Sequence, residues 1–317
     1  DLIMKRYREQ ADIDLFSYLL KNRLHKLIFG NRKKSGAPSA DRYKFLTDKG
    51  VASDKIRFHD HHLCHASAAY YSNAKYDKKY LVLTNDGGGD GLCASINIAE
   101  NGKISRLSQV PHDDSFAVLY SRATFYLGMV PLEHEYKIMG MAPYGNEQRA
   151  RELANTLGSM FEWSKNDPLI WKRRGDLPAT RLWGKQLEKI FRFKRFDDVS
   201  LAMQMLVEEM AIKWIQNCIK HTGINRLVLS GGLFMNVKLN KLIMDLPEVD
   251  ELFVMPSCSD ESNSIGAAYY GSSENKVTNS SLGHLYHGAN YTDEQAREEV
   301  NAFKFDCDVD ISVKADI

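Results

Sequence analysis

The sequence predicts an α/β protein built around a parallel sheet, and three observations carry that expectation. Residues 226–229 read as a strand entering Ser230-Gly231-Gly232 and then a helix through Met235 to Met244. Residues 251–255 read as a second strand entering Pro256-Ser257-Cys258-Ser259-Asp260 and a helix through Tyr270. A third short apolar strand, 80–84, ends at Asn85-Asp86-Gly87-Gly88-Gly89-Asp90. Strand–loop–helix alternation implies parallel strands, with ligands gathered outside their carboxyl ends. The length of 317 residues allows two core-forming units, since single cores rarely exceed roughly 250 residues.

In chain order, residues 1–50 read as helical and polar, with Gly30 and the Lys34-Ser35-Gly36-Ala37-Pro38 stretch as breakers. A helix starts near Asp60, a suitable N-cap, and runs through Ala66 to Tyr70. Beyond the 80–84 strand, segments 92–98 and 104–110 flank Asn101-Gly102, a strong hairpin signal. Residues 116–142 read as an aromatic-rich helical stretch, followed by Ala142-Pro143-Tyr144-Gly145. The charged, tryptophan-bearing stretch 150–200 lacks periodicity and reads as a surface insertion. An amphipathic helix over 201–221 follows, closed by Gly223.

Composition narrows the function classes. A net charge of +1 argues against a dedicated nucleic-acid binder, and the basic residues near the start read as solvated surface. Five cysteines, odd in number and without a C-x-x-C pair, suit reduced thiols in a cytoplasmic protein. No apolar run approaches the ~20 residues of a membrane span, and no signal peptide is visible. The chain opens on Asp1 rather than Met, and both ends read as cut from a longer polypeptide.

The chemistry concentrates in His59-Asp60-His61-His62-Leu63-Cys64-His65, where four of the ten histidines fall within seven residues. His61 and His65, four apart, share one face of a helix and can reach one metal ion given further ligands. Asp86 and Asp260 lie at or just beyond predicted strand ends, which converge at one sheet edge. Two imidazoles and two carboxylates suit iron, zinc or manganese better than calcium. A zinc-protease reading needs a glutamate directly after the first histidine; His62 stands there, so that chemistry is missing. Gly231-Gly232 with Asn236, and Asp86-Gly87-Gly88-Gly89-Asp90, are two glycine-rich turns that admit either a nucleotide phosphate or merely a tight corner. Lys137, on composition alone, is a surface lysine.

Taken together, five segments resemble the ordered motif set of the ATP-dependent O-carbamoyltransferases, which include nodulation-factor and antibiotic-tailoring enzymes. They are His61-His62-Leu63-Cys64-His65-Ala66; Asp86–Asp90; Glu135-Tyr136-Lys137-Ile138-Met139-Gly140-Met141-Ala142-Pro143-Tyr144-Gly145; Ser230-Gly231-Gly232 with Asn236 and Asn240; and Asp260 before Gly266-Ala267-Ala268. The resemblance runs from about residue 55 to 290 and implies an actin-like, sugar-kinase-like ATPase fold of two related α/β lobes closing on a nucleotide. It implies His61, His65, Asp86 and Asp260 as ligands of a divalent metal, iron first, with zinc or manganese as alternatives. It implies Gly231, Gly232 and Asn236 as nucleotide-phosphate contacts, and Lys137 and Gly140 are placed with them.

The family makes carbamoyl-adenylate from carbamoyl phosphate and ATP, then passes the carbamoyl group to a hydroxyl of a sugar or natural product. His62 is the candidate general base, although on a helix it points about 100° away from His61. Two departures stand out: no His-Asp strand segment precedes residue 55, and Ser262 replaces a usual glycine. The expected organisation is an incomplete first-lobe part (1–55), first-lobe metal and glycine segments (56–145), an insertion (146–200), a second-lobe nucleotide-binding unit (201–285) and a linker (286–317). That linker points to an adenylate-forming C-terminal domain in the same or another chain, and a homodimer is also considered. Two alternatives remain: carbamoyl-type transfer to tRNA or in hydrogenase maturation, from which the Lys137–Gly145 block and the charge point away, and a nucleotide- and metal-binding module without catalysis.

Overall fold

A computed structural model of the chain describes residues 2–11, 40–175, 177–275, 282–283, 285 and 288–303. Residues 1–281 form one unit and 282–317 a second. The described part of the second contains one helix, Asp293–Ala302, started by a Thr292–Gln295 capping box.

The first unit is organised by a five-stranded sheet. Its strands are β1 (Tyr80–Gly89), β2 (Leu92–Glu100), β3 (Lys103–Pro111), β6 (Arg226–Ser230) and β7 (Glu251–Val254), in the order β3-β2-β1-β6-β7. β4 (Phe161–Trp163) and β5 (Trp171–Arg173) form a separate antiparallel pair. β1, β6 and β7 are parallel, whereas β1–β2 and β2–β3 are antiparallel, so the sheet is mixed rather than parallel throughout. The reason is local: Asn101 (φ 54) and Gly102 (φ 72) form the tight turn with two positive φ angles that folds β2 back on β3. Both motif regions expected in separate lobes contribute to this one sheet, with Leu81 registered against Leu227 and Thr84 against Ser230.

Helix α1 spans Leu2–Ala11 and α2 Ala40–Asp48; residues 12–39, including the Gly30 and Lys34–Pro38 breakers, lie outside the described residues. His61, His62 and His65 lie on α3 (His61–Asn73), and His59 precedes it. Asp60 caps it as expected, its Oδ1 accepting from the Leu63 amide at 2.8 Å and from Arg106 at 2.5 Å. α3 packs on β1, β2, β6 and β7. Leu81 and Leu83 alternate with Val82 and Thr84 along β1, and all four are fully buried, so both faces of this central strand are covered.

The expected 116–142 helix is two: α4 (Ala117–Tyr126), which packs on β1, and α5 (Glu135–Met141), which packs on the long helix Phe196–Thr222. α6 (Glu147–Gly158), α7 (Gly184–Phe191) and α8 (Phe196–Thr222) follow. α8 begins five residues before the predicted start, with Asp197 and Asp198 in its first turn and Lys220 and His221 in its last, matching the helix dipole. Gly223 (φ 67) ends it as predicted. α9 (Val237–Met244) and α10 (Asn263–Glu274) complete the unit. α10 crosses α3 so closely that a Cβ on Gly266 would lie 1.9 Å from the Cys64 carbonyl oxygen.

The 150–200 stretch is not a surface insertion. Trp171 and Trp183 are among the largest fully buried side chains. The Trp171 ring lies 4.8 Å from that of Phe116 and 5.4 Å from that of Trp214 on α8, and its Nε1 donates to the Asp114 carbonyl at 2.7 Å. Charged residues hide this in the sequence because they alternate with single large aromatics rather than following a helical or strand period. Among the described residues no helix is long and apolar enough to cross a membrane, and Cys64, Cys93, Cys218 and Cys258 are free. Trp171→Ala is expected to cost about 3–5 kcal/mol in urea unfolding; a loss under 1 kcal/mol would return this segment to the surface.

Candidate metal centre

Three parallel strands ending side by side give the site its floor, and the first two turns of α3 give it a wall. Two orphan amides at the start of α3 are satisfied by side chains: Asp60 takes Leu63 N–H, and Asp90 Oδ2 takes His61 N–H at 2.9 Å. These bonds fix the direction in which His61 and His65 project. His61 lies so close to Gly89 that a Cβ there would overlap its ring.

Four side chains from three places in the chain converge. His61 Nε2 is 3.2 Å from Asp86 Oδ2 and 3.4 Å from Asp260 Oδ1. His65 Nε2 is 3.8 Å from Asp86 Oδ2, 3.4 Å from Asp260 Oδ1 and 3.2 Å from His61 Nε2. The four donor atoms lie within 4.8 Å of one another. Ligands held about 2.0–2.2 Å from one tetrahedral ion are spaced roughly 3.3–3.6 Å apart, so the spacing found here fits one ion. The donor set, two imidazoles and two carboxylates, fits iron, zinc or manganese.

The electrostatics is that of a tightly paired cluster. Burial works to raise the Asp86 carboxyl, but hydrogen bonds from His61 and His65 outweigh it and hold the group well below the usual carboxylate range. Burial likewise works against a charge on His65, but hydrogen bonds to Asp260 and Asp86 raise its pKa on balance. His65 is fully buried, His61 and Asp86 are largely so, and Asp260 is 68% exposed. The cluster therefore opens to solvent on one side.

His62, the candidate general base, points into the protein interior. It is fully buried, and its Nδ1 lies 2.8 Å from Thr84 Oγ1 on β1. Burial, reinforced by His61, pushes its pKa down to about 4. The ring is neutral, faces the sheet rather than the opening, and sits on a buried polar thread from Thr84 to Ser95 and Asn97. It is not placed as a general base.

The glycine-rich segments also depart from expectation. Asp86–Gly89 is not a corner but the end of β1, and Gly89 pairs with Leu92 beyond a bulge; the turn lies at Asp90 (φ 48) and Gly91 (φ 86). Gly231 (φ 107) packs where a Cβ would sit 2.3 Å from the Asn85 carbonyl oxygen. Its N–H donates to the Cys258 carbonyl at 2.7 Å, so it is not free for a phosphate. Gly232 lies against the Asp86 carboxylate, 2.8 Å from where its Cβ would be. Asn236 caps α9 by accepting from Leu239 N–H and exchanges two hydrogen bonds with Gln204 on α8. Lys137 and Gly140 lie on α5, outside the four-residue cluster; the Lys137 ammonium is 5.8 Å from the Tyr136 ring centroid, and Gly140 is exposed.

Two further residues touch the cluster: Ser230, given no role of its own in the sequence motif, and Asn263, not singled out there. Ser230 Oγ lies 3.5 Å from His65 Nδ1, and Asn263 Nδ2 lies 3.3 Å from His61 Nδ1 and 3.5 Å from His65 Nε2. The signal available for Asn263 was its position three residues after Asp260, on the first turn of the helix that follows it.

Residues 10–269 match the family model described as carbamoyltransferase N-terminus. The chain belongs to the carbamoyltransferase N-terminus family. It is 30% identical over 264 residues to the nodulation protein NolO of Bradyrhizobium diazoefficiens, covering 79% of this chain and 45% of NolO. It is 29% identical over 235 residues to NolNO of Sinorhizobium fredii, covering 71% and 32% respectively. This carbamoyltransferase N-terminal chain thus spans less than half the length of those relatives. A crystal structure of full-length HypF in a phosphate- and nucleotide-bound form aligns with a TM-score of 0.42 at 15% identity, over 71% of this chain and 45% of that one.

His65→Ala is expected to abolish stoichiometric metal binding, read by elemental analysis, while circular dichroism shows a folded chain. Full metal content in that variant would remove His65 from the centre.

Proposed function

We propose that this chain is the carbamoyl-transferring part of an ATP-dependent O-carbamoyltransferase. Its acceptor would be a hydroxyl of a sugar or natural product, and its donor carbamoyl-adenylate made from carbamoyl phosphate and ATP. The single observation that carries the reading is the convergence of His61, His65, Asp86 and Asp260 at the carboxyl edge of three parallel strands, open on the Asp260 side. Family membership supplies the carbamoyl chemistry. The sheet is read as belonging to an actin-like ATPase fold, with an adenylate-forming domain in the same or another chain.

A divalent metal held by these four residues, iron in first place, would supply Lewis acidity toward a carbamoyl oxygen. The chain's own residues do the rest. Asp86 and His65, buried and paired, hold the cluster rigid, so little reorganisation is needed as charge develops. The Gly231-Gly232 turn, pressed against Asp86, brings the backbone next to the cluster, where the adenylate phosphate would lie. In the transfer, the acceptor oxygen forms a bond to the carbamoyl carbon. The bond from that carbon to the AMP phosphate oxygen breaks with its electron pair, and the hydroxyl proton leaves to a base other than the buried His62.

Supplying carbamoyl-adenylate directly isolates this step from adenylate synthesis. With a hydroxyl acceptor, AMP and carbamoylated product are expected to appear in equal amounts, to stop on metal chelation and to return with Fe²⁺. Bound nucleotide with no AMP release across an acceptor panel would overturn the proposal in favour of a binding module.

A further inference from the structure

His61 and His65 can both present Nε2 to a metal only if each ring carries its proton on Nδ1, and a metal-ligating histidine usually donates that N–H to a fixed acceptor. The two Nδ1 atoms face different side chains. His65 Nδ1 faces the Ser230 hydroxyl at 3.5 Å, from the last residue of β6. His61 Nδ1 faces the Asn263 amide at 3.3 Å, from the first residue of α10.

The Asn263 amide as placed has a mismatch. Its NH2 group points at ring nitrogens of both histidines, while its Oδ1 is buried without a hydrogen-bond partner among the described residues. In that orientation His61 must keep Nδ1 unprotonated to accept, which leaves the proton on Nε2 and closes Nε2 to a metal. The oxygen and nitrogen of an asparagine amide exchange places by a half-turn of the group. The turned amide puts Oδ1 opposite His61 Nδ1–H, and Nδ2 takes the former place of Oδ1.

We propose that Asn263 and Ser230 are positioning residues that set the histidine tautomers of the centre. Asn263 accepts from His61 Nδ1–H through Oδ1, and Ser230 accepts from His65 Nδ1–H through Oγ, so both Nε2 lone pairs point into the cluster. The proposal rests on the metal-centre reading above. It also explains a feature of the chain order: each strand-end segment supplies a ligand, an orienting group or both. β1 gives Asp86, β6 gives Ser230, and the turn after β7 gives Asp260 with Asn263.

The test is competition titration of the purified chain with Zn²⁺ against a chromophoric chelator, with folding checked by circular dichroism. Asn263→Leu removes acceptor and donor together and is expected to weaken binding about 10- to 100-fold; Asn263→Ala takes its place if the leucine variant does not fold. Ser230→Ala is expected to weaken binding about 10-fold. Asn263→Asp keeps the acceptor and deletes the NH2 group, so it should bind Zn²⁺ at least as tightly as the parent chain. In the zinc-loaded parent, ¹⁵N-edited NMR should show a slowly exchanging imidazole Nδ1–H on His61 that persists in Asn263→Asp and is lost in the leucine or alanine variant. Undiminished affinity in the leucine or alanine variant, or an aspartate variant as weak as it, overturns the proposal. A parent chain that takes up neither Zn²⁺ nor Fe²⁺ overturns the metal-centre reading, and the proposal falls with it.

Discussion

The parallel pairing of β1 with β6 is the constraint on which the rest of the structure depends. With Thr84 registered against Ser230, Asp86 projects two residues past the end of the pairing, directly over the Gly231-Gly232 turn. A slip of one residue would turn Asp86 and every buried apolar residue of β1 to the opposite face. The pairing is also what α3 packs upon: its buried face rests on β1, β2, β6 and β7, and His62 reaches Thr84 beneath it. The four-residue cluster is thus tied to a sheet register, with Asp260 reaching it from the turn after β7.

Close backbone approaches tighten this arrangement. Gly231 touches the Asn85 backbone, Gly266 touches the Cys64 backbone, and Gly89 lies under the His61 ring. Each of the three admits no side chain, and each brings together two elements that carry a cluster residue or one of its neighbours Ser230 and Asn263. Gly231 joins β6 to β1, Gly266 joins α10 to α3, and Gly89 joins β1 to α3. Overpacking at contacts of this kind forces shifts that a close-packed interior transmits, so displacement at one would be felt at the ligands.

Local periodicity and capping made much of this legible. Asp60 as N-cap, His61 and His65 one turn apart, the Asn101-Gly102 hairpin and the Gly223 helix end are short-range features, and each lies where the sequence places it. Asp86 and Asp260 were legible as strand-end carboxylates, and they meet because parallel strands share a carboxyl edge. What the sequence hid is tertiary. Trp171 looks like a stray aromatic in a charged stretch until Phe116 and Trp214, far away in the chain, close around it. Asp86–Gly89 looks like a loop because glycine disfavours strands, yet pairing with β2 carries the strand through it. The Gly231 amide looked free for a phosphate because its acceptor, the Cys258 carbonyl, belongs to another turn.

The exposure of the four ligands bears on what the centre is for. Here His65 is fully buried, and His61 and Asp86 are 18% and 14% exposed, but Asp260 is 68% exposed. A site built only for stability gains nothing from leaving one carboxylate in water, where its attraction to the cluster is screened. A site that must admit a substrate gains an approach from solvent, and the exposed member here is Asp260, in the turn after β7. The three less exposed side chains supply rigidity, and the exposed aspartate is the member a substrate of the proposed transfer would meet from solvent.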